Sequence, residues 1–569
     1  MEKVWQRSYV KGVPYNVTFE DLTLSEALAR SASKYGSRPA LIFQGTEVTF
    51  RELDRMVSQF ASALVHLGVQ PGDRVSFILP NLVQTVIGIY GALRAGAVVV
   101  MHNPRLDDLQ FEFQFKDAGS KILVCLDILL PRLMNVQKRI KAQKLICCHI
   151  RDYLQGIKKK LFPFVKPNLH FTPPQGSGVL EFTELLEAGD SHFRGHLRAH
   201  EEAAFILYTS ATTGKAKGVV LTHRNISYNV QQLKAWFPQF REGEESVVGC
   251  LPFFHSFGLT TALNMGIVYG FTDILVPLPE TRHILEAIDT YHPTYVPALP
   301  TFYNAVIHDP ALTKHDIKSL KGCFSGGAPL PLATIRTFER VTGAQICEGY
   351  GSTETSPVTH INPFGGKTKV GTIGLPIPDT DAKLVDPDDP DREIMAAGIP
   401  GELAVRGPQV MSGYLNLPQQ TATVLRDGWY LTGDMATVDE EGYFTVVDRK
   451  GDVIVSAGLK VFPRDVEEVL YSHSKIAEAC VIGITDPKRE ESIKAYVVLK
   501  KGESISGPEI IKFCSQNLPQ YQVPAHVEFV EQLPRSPVGK VLRKELRRLH
   551  LVWGGAGRDN QSRDTTPIT

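Results

Sequence analysis

Between Ala40 and Gly351, short β-branched runs alternate with segments whose apolar positions recur at helical spacing. RVSFILP, KILVCLD, KLICCHI, AAFILYT, TDILVPL, PTYVPALP and AQICEGYG have the length and composition of buried strands. LSEALARSASKYG, just before this region, carries its apolar residues on one helical face. Strands alternating with helices predict an α/β class, with parallel sheets covered by helices on both faces. The most apolar stretch, Val83 to Met101, is interrupted by Arg94 and by glycines. It reads as a buried helix followed by a strand, not as a membrane span.

From Gly401 to Asp448 the texture changes. GELAVRG, GWYLTGD and GYFTVVD are short, glycine-bounded strands that predict a small β-rich subdomain over 400–448. A new βα alternation follows and runs to about Arg547, predicting a small α+β domain at the C-terminal end. The Gly-rich, polar residues 549–569 are expected to form a disordered tail.

Length and composition narrow this picture little. A chain of 569 residues is too long for one core and argues for several domains. Basic and acidic residues balance, 61 against 61, so no general argument for nucleic acid arises; a duplex binder needs a basic face. The eight cysteines show no CxxC pair and no histidine spacing suited to zinc. They point to a reducing compartment without a disulfide framework. The N-terminus has no apolar stretch resembling a signal peptide, and the terminal PIT is no peroxisomal address, so a cytoplasmic location is expected. Local charge departs from neutrality between Arg132 and Lys166, where ten basic residues face Asp152 alone. That segment, ending in GIKKKLFPFVK, reads as a solvated surface or as a peripheral contact with anionic lipid at the inner face of the membrane.

The candidate chemistry begins at YTSATTGKAKGVVLTH, Tyr208 to His223. Small residues let backbone N–H groups approach phosphate oxygens, hydroxyls add donors and lysines add charge. It is not a Walker loop, because Thr209 and Ala216 stand where that pattern needs Gly and Ser or Thr. The segment resembles the phosphate-loop signature of the acyl-adenylate-forming (ANL) superfamily, which usually reads YTSG(T/S)TGxPKG. Ala211 replaces its Gly and Ala216 its Pro.

Further segments resemble the same superfamily, in order, over nearly the whole chain. LPFFHSFG, Leu251 to Gly258, resembles the border of the acid pocket, which implies that His255 lies near the substrate carboxylate. SGGAPL, with Gly327, Ala328 and Pro329, resembles the loop against adenine. EGYGSTET, Glu348 to Thr355, implies an adenine-binding run Glu348, Gly349, Tyr350 and Gly351, an α-phosphate contact at Thr353 and Mg²⁺ on Glu354. Thr209 is the second implied metal contact. Thr209, Ser210, Ala211, Thr212, Thr213, Gly214 and Lys217 are the implied phosphate-binding residues. GWYLTGD ends in Asp434, the implied ribose ligand, assisted by Arg449. LPRSPVGKVLRKELR places Lys540 as the mobile catalytic lysine.

The resemblance therefore implies an adenylate-forming domain over 1–448, a hinge over 449–452 centred on Gly451 and a mobile domain over 453–548. Gly458 is implied at the pantetheine tunnel. The implied substrates are ATP, coenzyme A and a carboxylic acid, with Mg²⁺. Bacterial long-chain fatty acid–CoA ligases resemble the chain most, through GIKKKLFPFV, the Ala-Lys form of the phosphate loop and Glu348 before GYG. A medium-chain or aryl acid–CoA ligase is the alternative enzyme. LPFFHSFGLTTALNMG lacks the carboxylate that an amino-acid site needs for the substrate amine, and no carrier domain is expected after residue 548. A catalytically silent acyl- or nucleotide-binding homologue is a third reading, but it predicts loss of Lys540, Glu354 or Asp434, all of which are present.

Overall fold

The computed structural model describes residues 3–196, 198–209, 216–456, 459–486, 490–535 and 541–554. All seven strand-like runs named above form strands, and the helix before them spans Leu24–Tyr35. That helix starts on a capping box: Glu26 N–H donates to the Thr23 hydroxyl while the Glu26 carboxylate accepts from Thr23 N–H.

Two large sheets make the body of the N-terminal domain. In the first, Pro39–Phe43, Thr272–Leu275, Ser246–Gly249, Tyr295–Ala298, Gly322–Gly326 and Gln345–Gly351 run parallel. In the second, Ala203–Thr209, Val98–Met101, Arg74–Ile78, Ile122–Leu126, Lys144–Cys148 and Val179–Glu181 run parallel. Neither is wholly parallel. Thr46–Thr49 and Val358–Ile361 pair antiparallel in the first sheet, and Lys217–Thr222 and Gly413–Tyr414 in the second. Antiparallel neighbours of this kind need no crossover helix.

The principal core joins both sheets through the helices Phe50–His66 and Val83–Arg94. Every residue of Val83–Arg94 is buried, and Val98–Met101 follows as a buried strand. Arg94 interrupts the apolar run without exposing it. Its guanidinium donates to Asp54 at 2.6 Å and to the Ser58 hydroxyl at 2.7 Å, so the buried charge is paired.

The third sheet contains Gly401–Arg406, Trp429–Val438 and Phe444–Arg449, and it reaches back to Asp381–Val385. Its first strand thus lies before residue 400. The fourth sheet carries Ile454–Ser456, Leu459–Val461, Ile476–Asp486, Glu490–Leu499 and His526–Phe529, covered by the helices Pro463–Ser472 and Gly507–Asn517. The expected tail needs correction at its start. The helix Arg543–Gly554 runs through 549–554, with Leu546 in the core and Arg547 paired to Asp452. All eight cysteines are free and buried. Among the described residues no helix is long and apolar enough to cross a membrane.

Candidate active site

The site residues come from the carboxyl ends of parallel strands in the first sheet and from the closing strands of the third. Gln345–Gly351 delivers Glu348, Gly349, Tyr350 and Gly351, and its neighbour Gly322–Gly326 leads into Gly327, Ala328 and Pro329. Ser325 lies opposite Glu348 in register, and Gly326 opposite Gly349. The Glu348 carboxylate is turned toward the main chain. It accepts from Leu330 N–H at 3.1 Å and from Gly371 N–H at 3.3 Å, and burial raises its pKa against those two bonds. Glu348 therefore positions the 327–330 loop through its backbone. Gly351 is required by packing, since a Cβ there would lie 1.8 Å from the Pro357 carbonyl oxygen.

Tyr350, Asp434 and Arg449 form one constellation. Tyr350 donates its hydroxyl to Asp434 Oδ2 at 2.5 Å, and Arg449 Nε lies 2.6 Å from Asp434 Oδ1. Asp434 and Arg449 face each other across the Trp429–Val438 and Phe444–Arg449 pair. Burial and the adjacent Asp434 carboxylate hold the Tyr350 phenol well above its ordinary pKa, so it stays a donor. The Asp434 charge in turn raises the pKa of Arg449.

Thr353 and Glu354 sit in the short turn after this strand. The buried Glu354 accepts a hydrogen bond from the Tyr414 hydroxyl at 2.9 Å through Oε1. Tyr414 is a site residue that the sequence did not single out. It stands on the two-residue strand beside Lys217–Thr222, with Leu415 N–H bonded to the Gly218 carbonyl at 2.7 Å. The Lys217 ammonium lies 4.6 Å from the centre of the Tyr414 ring. Tyr414 thereby touches both Lys217 and Glu354. The local run SGYLN offers only a glycine beside an aromatic residue, too little to mark it.

Thr209 pairs with Lys217 in register, at the end of the antiparallel Ala203–Thr209 and Lys217–Thr222 pair. Ser210, Ala211, Thr212, Thr213 and Gly214 lie outside the described residues, as do Gly458 and Lys540. His255 precedes a helical stretch whose residues Leu259 to Asn264 form a π-turn, an irregularity frequent at functional sites. Asn81 shapes the turn before it: its side chain donates to the Leu251 carbonyl at 2.8 Å and accepts from Phe253 N–H at 2.9 Å. Phe257 closes against Gly326, where an added Cβ would meet its ring at 3.1 Å. The His255 segment is thus brought against the strand that leads into the Gly327 loop.

Gly451 lies in the turn Lys450–Asp452, and a Cβ at that position would meet nothing within 4 Å. The turn is flanked by charge pairing. Arg547 binds Asp452 at 2.7 Å, and the Arg543 guanidinium lies 3.5 Å from Asp448.

Residues 28–415 match the family model described as AMP-binding enzyme, and 465–540 match that of the AMP-binding enzyme C-terminal domain. The chain belongs to the AMP-binding (ANL) superfamily. It is similar to a long-chain-fatty-acid–CoA ligase of Bacillus subtilis (strain 168), at 39% identity over 96% of this chain and 98% of the relative. A feruloyl-CoA synthase of an Amycolatopsis species is 32% identical over 89% of this chain and 94% of that one. Among solved structures, ATP-bound MatB from Rhodopseudomonas palustris aligns with a TM-score of 0.82 at 27% identity, covering 93% of this chain and 99% of that one. Within the superfamily the chain is an AMP-forming acyl-CoA ligase that binds ATP.

Proposed function

We propose that the chain converts a long-chain fatty acid, ATP and coenzyme A to acyl-CoA, AMP and pyrophosphate through an enzyme-bound acyl-adenylate. The observation that carries the adenylate step is the Tyr350–Asp434–Arg449 constellation at the end of the Gln345–Gly351 strand. Adenine lies between Tyr350 and the Gly327–Pro329 loop, and the ribose hydroxyls donate to Asp434. The fatty acid reading rests on similarity to long-chain ligases along nearly the whole chain.

A carboxylate is a poor electrophile, and joining it to AMP makes a mixed anhydride with a good leaving group. The acid attacks the α-phosphorus in line, and pyrophosphate departs into the loop between Thr209 and Gly218. Charge at that phosphorus is offset by Lys540, with Thr353 donating to an α-phosphate oxygen. Glu354 fits a hard cation: it is a buried carboxylate, and its bond from Tyr414 leaves further lone pairs for coordination. Glu354 and Thr209 would hold Mg²⁺, which would supply Lewis-acid stabilisation of the phosphate oxygens. The thiol of coenzyme A then enters past Gly458 after the C-terminal domain, 453–548, rotates about Gly451.

The test is ATP–pyrophosphate exchange driven by fatty acids over a series of chain lengths. Exchange rising toward long chains is expected. Failure of every acid to drive exchange would overturn the reading in favour of a silent binding homologue, and exchange with aryl or medium-chain acids alone would redirect the substrate class.

A membrane contact has one supporting observation. The helix Gly156–Val165 exposes Ile157, Leu161, Phe164 and Val165 beside Lys158, Lys159 and Lys160. Flotation with anionic vesicles that is lost at high salt is expected; flotation that ignores lipid charge and salt would remove this contact.

A further inference from the structure

One edge of the second sheet gathers side chains that the adenylate chemistry does not use. Ile122–Leu126, Lys144–Cys148 and Val179–Glu181 run side by side, with Cys147 directly opposite Glu181. Asp127 follows the first strand and His149 the second, so four polar side chains converge at the strands' carboxyl ends. That is the edge at which open α/β sheets collect ligands. His149 stands at the centre. Its Nδ1 lies 2.8 Å from Asp127 Oδ2, while its Nε2 lies 2.9 Å from Glu181 Oε2 and 3.7 Å from Cys147 Sγ.

We propose that Cys147, His149 and Glu181 form a binding site for a divalent transition-metal ion, best matched by Zn²⁺, with Asp127 orienting the His149 ring. The donor set combines a soft thiolate, an imidazole and a carboxylate, which together select zinc over magnesium or calcium. All three donor atoms lie within 4.8 Å of one another. Zinc bonds of ordinary length put tetrahedral sulfur and nitrogen ligands about 3.6 Å apart, close to the observed separation of Cys147 and His149. The Glu181 oxygen must move outward by a few tenths of an ångström. It can do so, since its side chain is 28% exposed while that of His149 is 7% exposed. The exposed side admits the ion and a water as fourth ligand.

The far side of the ring supports the same assignment. A metal-bound imidazole almost always donates its other N–H to a carboxylate, a backbone carbonyl or water, and the Asp127 carboxylate occupies that position. Asp127 is itself fixed, accepting from Ile128 N–H at 2.8 Å and from Phe171 N–H at 3.0 Å. A second triad, Asp127, His149 and His170, also brings three donors together. There, however, an ion would share Asp127 Oδ2 with the Phe171 N–H that already donates to it. The ion therefore belongs on the Nε2 side of the ring. Its competitor is a proton, because a doubly protonated His149 can donate to both carboxylates.

The experiment uses the full-length chain stripped with chelator and titrated with Co²⁺, then with Zn²⁺. One Co²⁺ per chain is expected, with a thiolate-to-cobalt charge-transfer band and tetrahedral d–d bands that Zn²⁺ abolishes on displacement. Cys147→Ser should remove the charge-transfer band, and Glu181→Gln, at a part-exposed position, should weaken binding at least tenfold while circular dichroism stays unchanged. Absence of stoichiometric Co²⁺ and Zn²⁺ binding to the wild-type chain would overturn the proposal. Binding that both variants retain unchanged would do the same. Loss of binding in His170→Ala but not in Glu181→Gln would move the ion to the Asp127 side and refute the Cys147–His149–Glu181 donor set.

Discussion

The Tyr414 hydroxyl donates to Glu354 at 2.9 Å while the Lys217 ammonium rests 4.6 Å from the centre of the same ring. One aromatic side chain thus links the phosphate-loop lysine to the carboxylate proposed to hold Mg²⁺. Both contacts depend on the pairing of Gly413–Tyr414 with the Lys217–Thr222 strand, two segments far apart in the chain.

Tyr414→Phe keeps the ring under Lys217 and removes the hydroxyl. The lost hydrogen bond to a charged acceptor is worth about 1.5–3 kcal/mol. Adenylate formation should slow by roughly tenfold or more, with a higher Mg²⁺ requirement. Pyrophosphate exchange measured across a Mg²⁺ titration checks this; an unchanged Mg²⁺ dependence would separate Tyr414 from the metal.

Asp434→Asn removes the charge that Arg449 and Tyr350 face. The KM for ATP should rise by at least about tenfold, since a buried charge-assisted contact is lost and Arg449 is left without its partner. Steady-state kinetics with ATP varied against saturating acid is the measurement. A change confined to the acid's KM would contradict a ribose role.

The two half-reactions should separate at Lys540 and Gly451. Lys540→Ala should reduce adenylate formation by about a hundredfold or more while thioester formation from supplied acyl-adenylate falls less. Gly451→Pro should spare adenylation and impair thioester formation, because proline fixes the backbone that must turn. Gly451→Ala is expected to be mild, as a methyl group there meets nothing within 4 Å. Equal loss of both half-reactions in Gly451→Pro would argue against a hinge at this position.

Asp273 makes stability depend on pH. Burial raises its carboxyl from 3.8 to about 8, with only the backbone at Gly249 opposing. A raised folded pKa means that the folded state holds the proton more tightly. The contribution is full below the unfolded pKa and is lost as pH rises through the folded one. Between about pH 6 and pH 8 the wild-type chain should lose about 2 kcal/mol relative to Asp273→Asn, which cannot ionise. Thermal midpoints of both proteins at the two pH values test this; a constant difference would exclude the titration.

The local sequence by itself determined the strands, the long helices and the reaction class. β-branched runs specify strands wherever they lie, and a phosphate loop or an EGYGSTET segment is a contiguous stretch whose chemistry is set by neighbours in the chain. Asp434, Glu354 and Tyr350 could be singled out as candidates for that reason. What needed the tertiary structure was every relationship between segments. Glu348 points at the backbone of the 327–330 loop, which follows the neighbouring strand, because the register sets it opposite Ser325. The SGYLN run shows no function until sheet pairing brings Tyr414 to Glu354. The cysteines and histidines have no zinc-type spacing in the chain, yet parallel pairing sets Cys147 opposite Glu181 and His149 against both. Backbone hydrogen bonding across strands fixes such neighbours, and no residue along the chain carries that information alone.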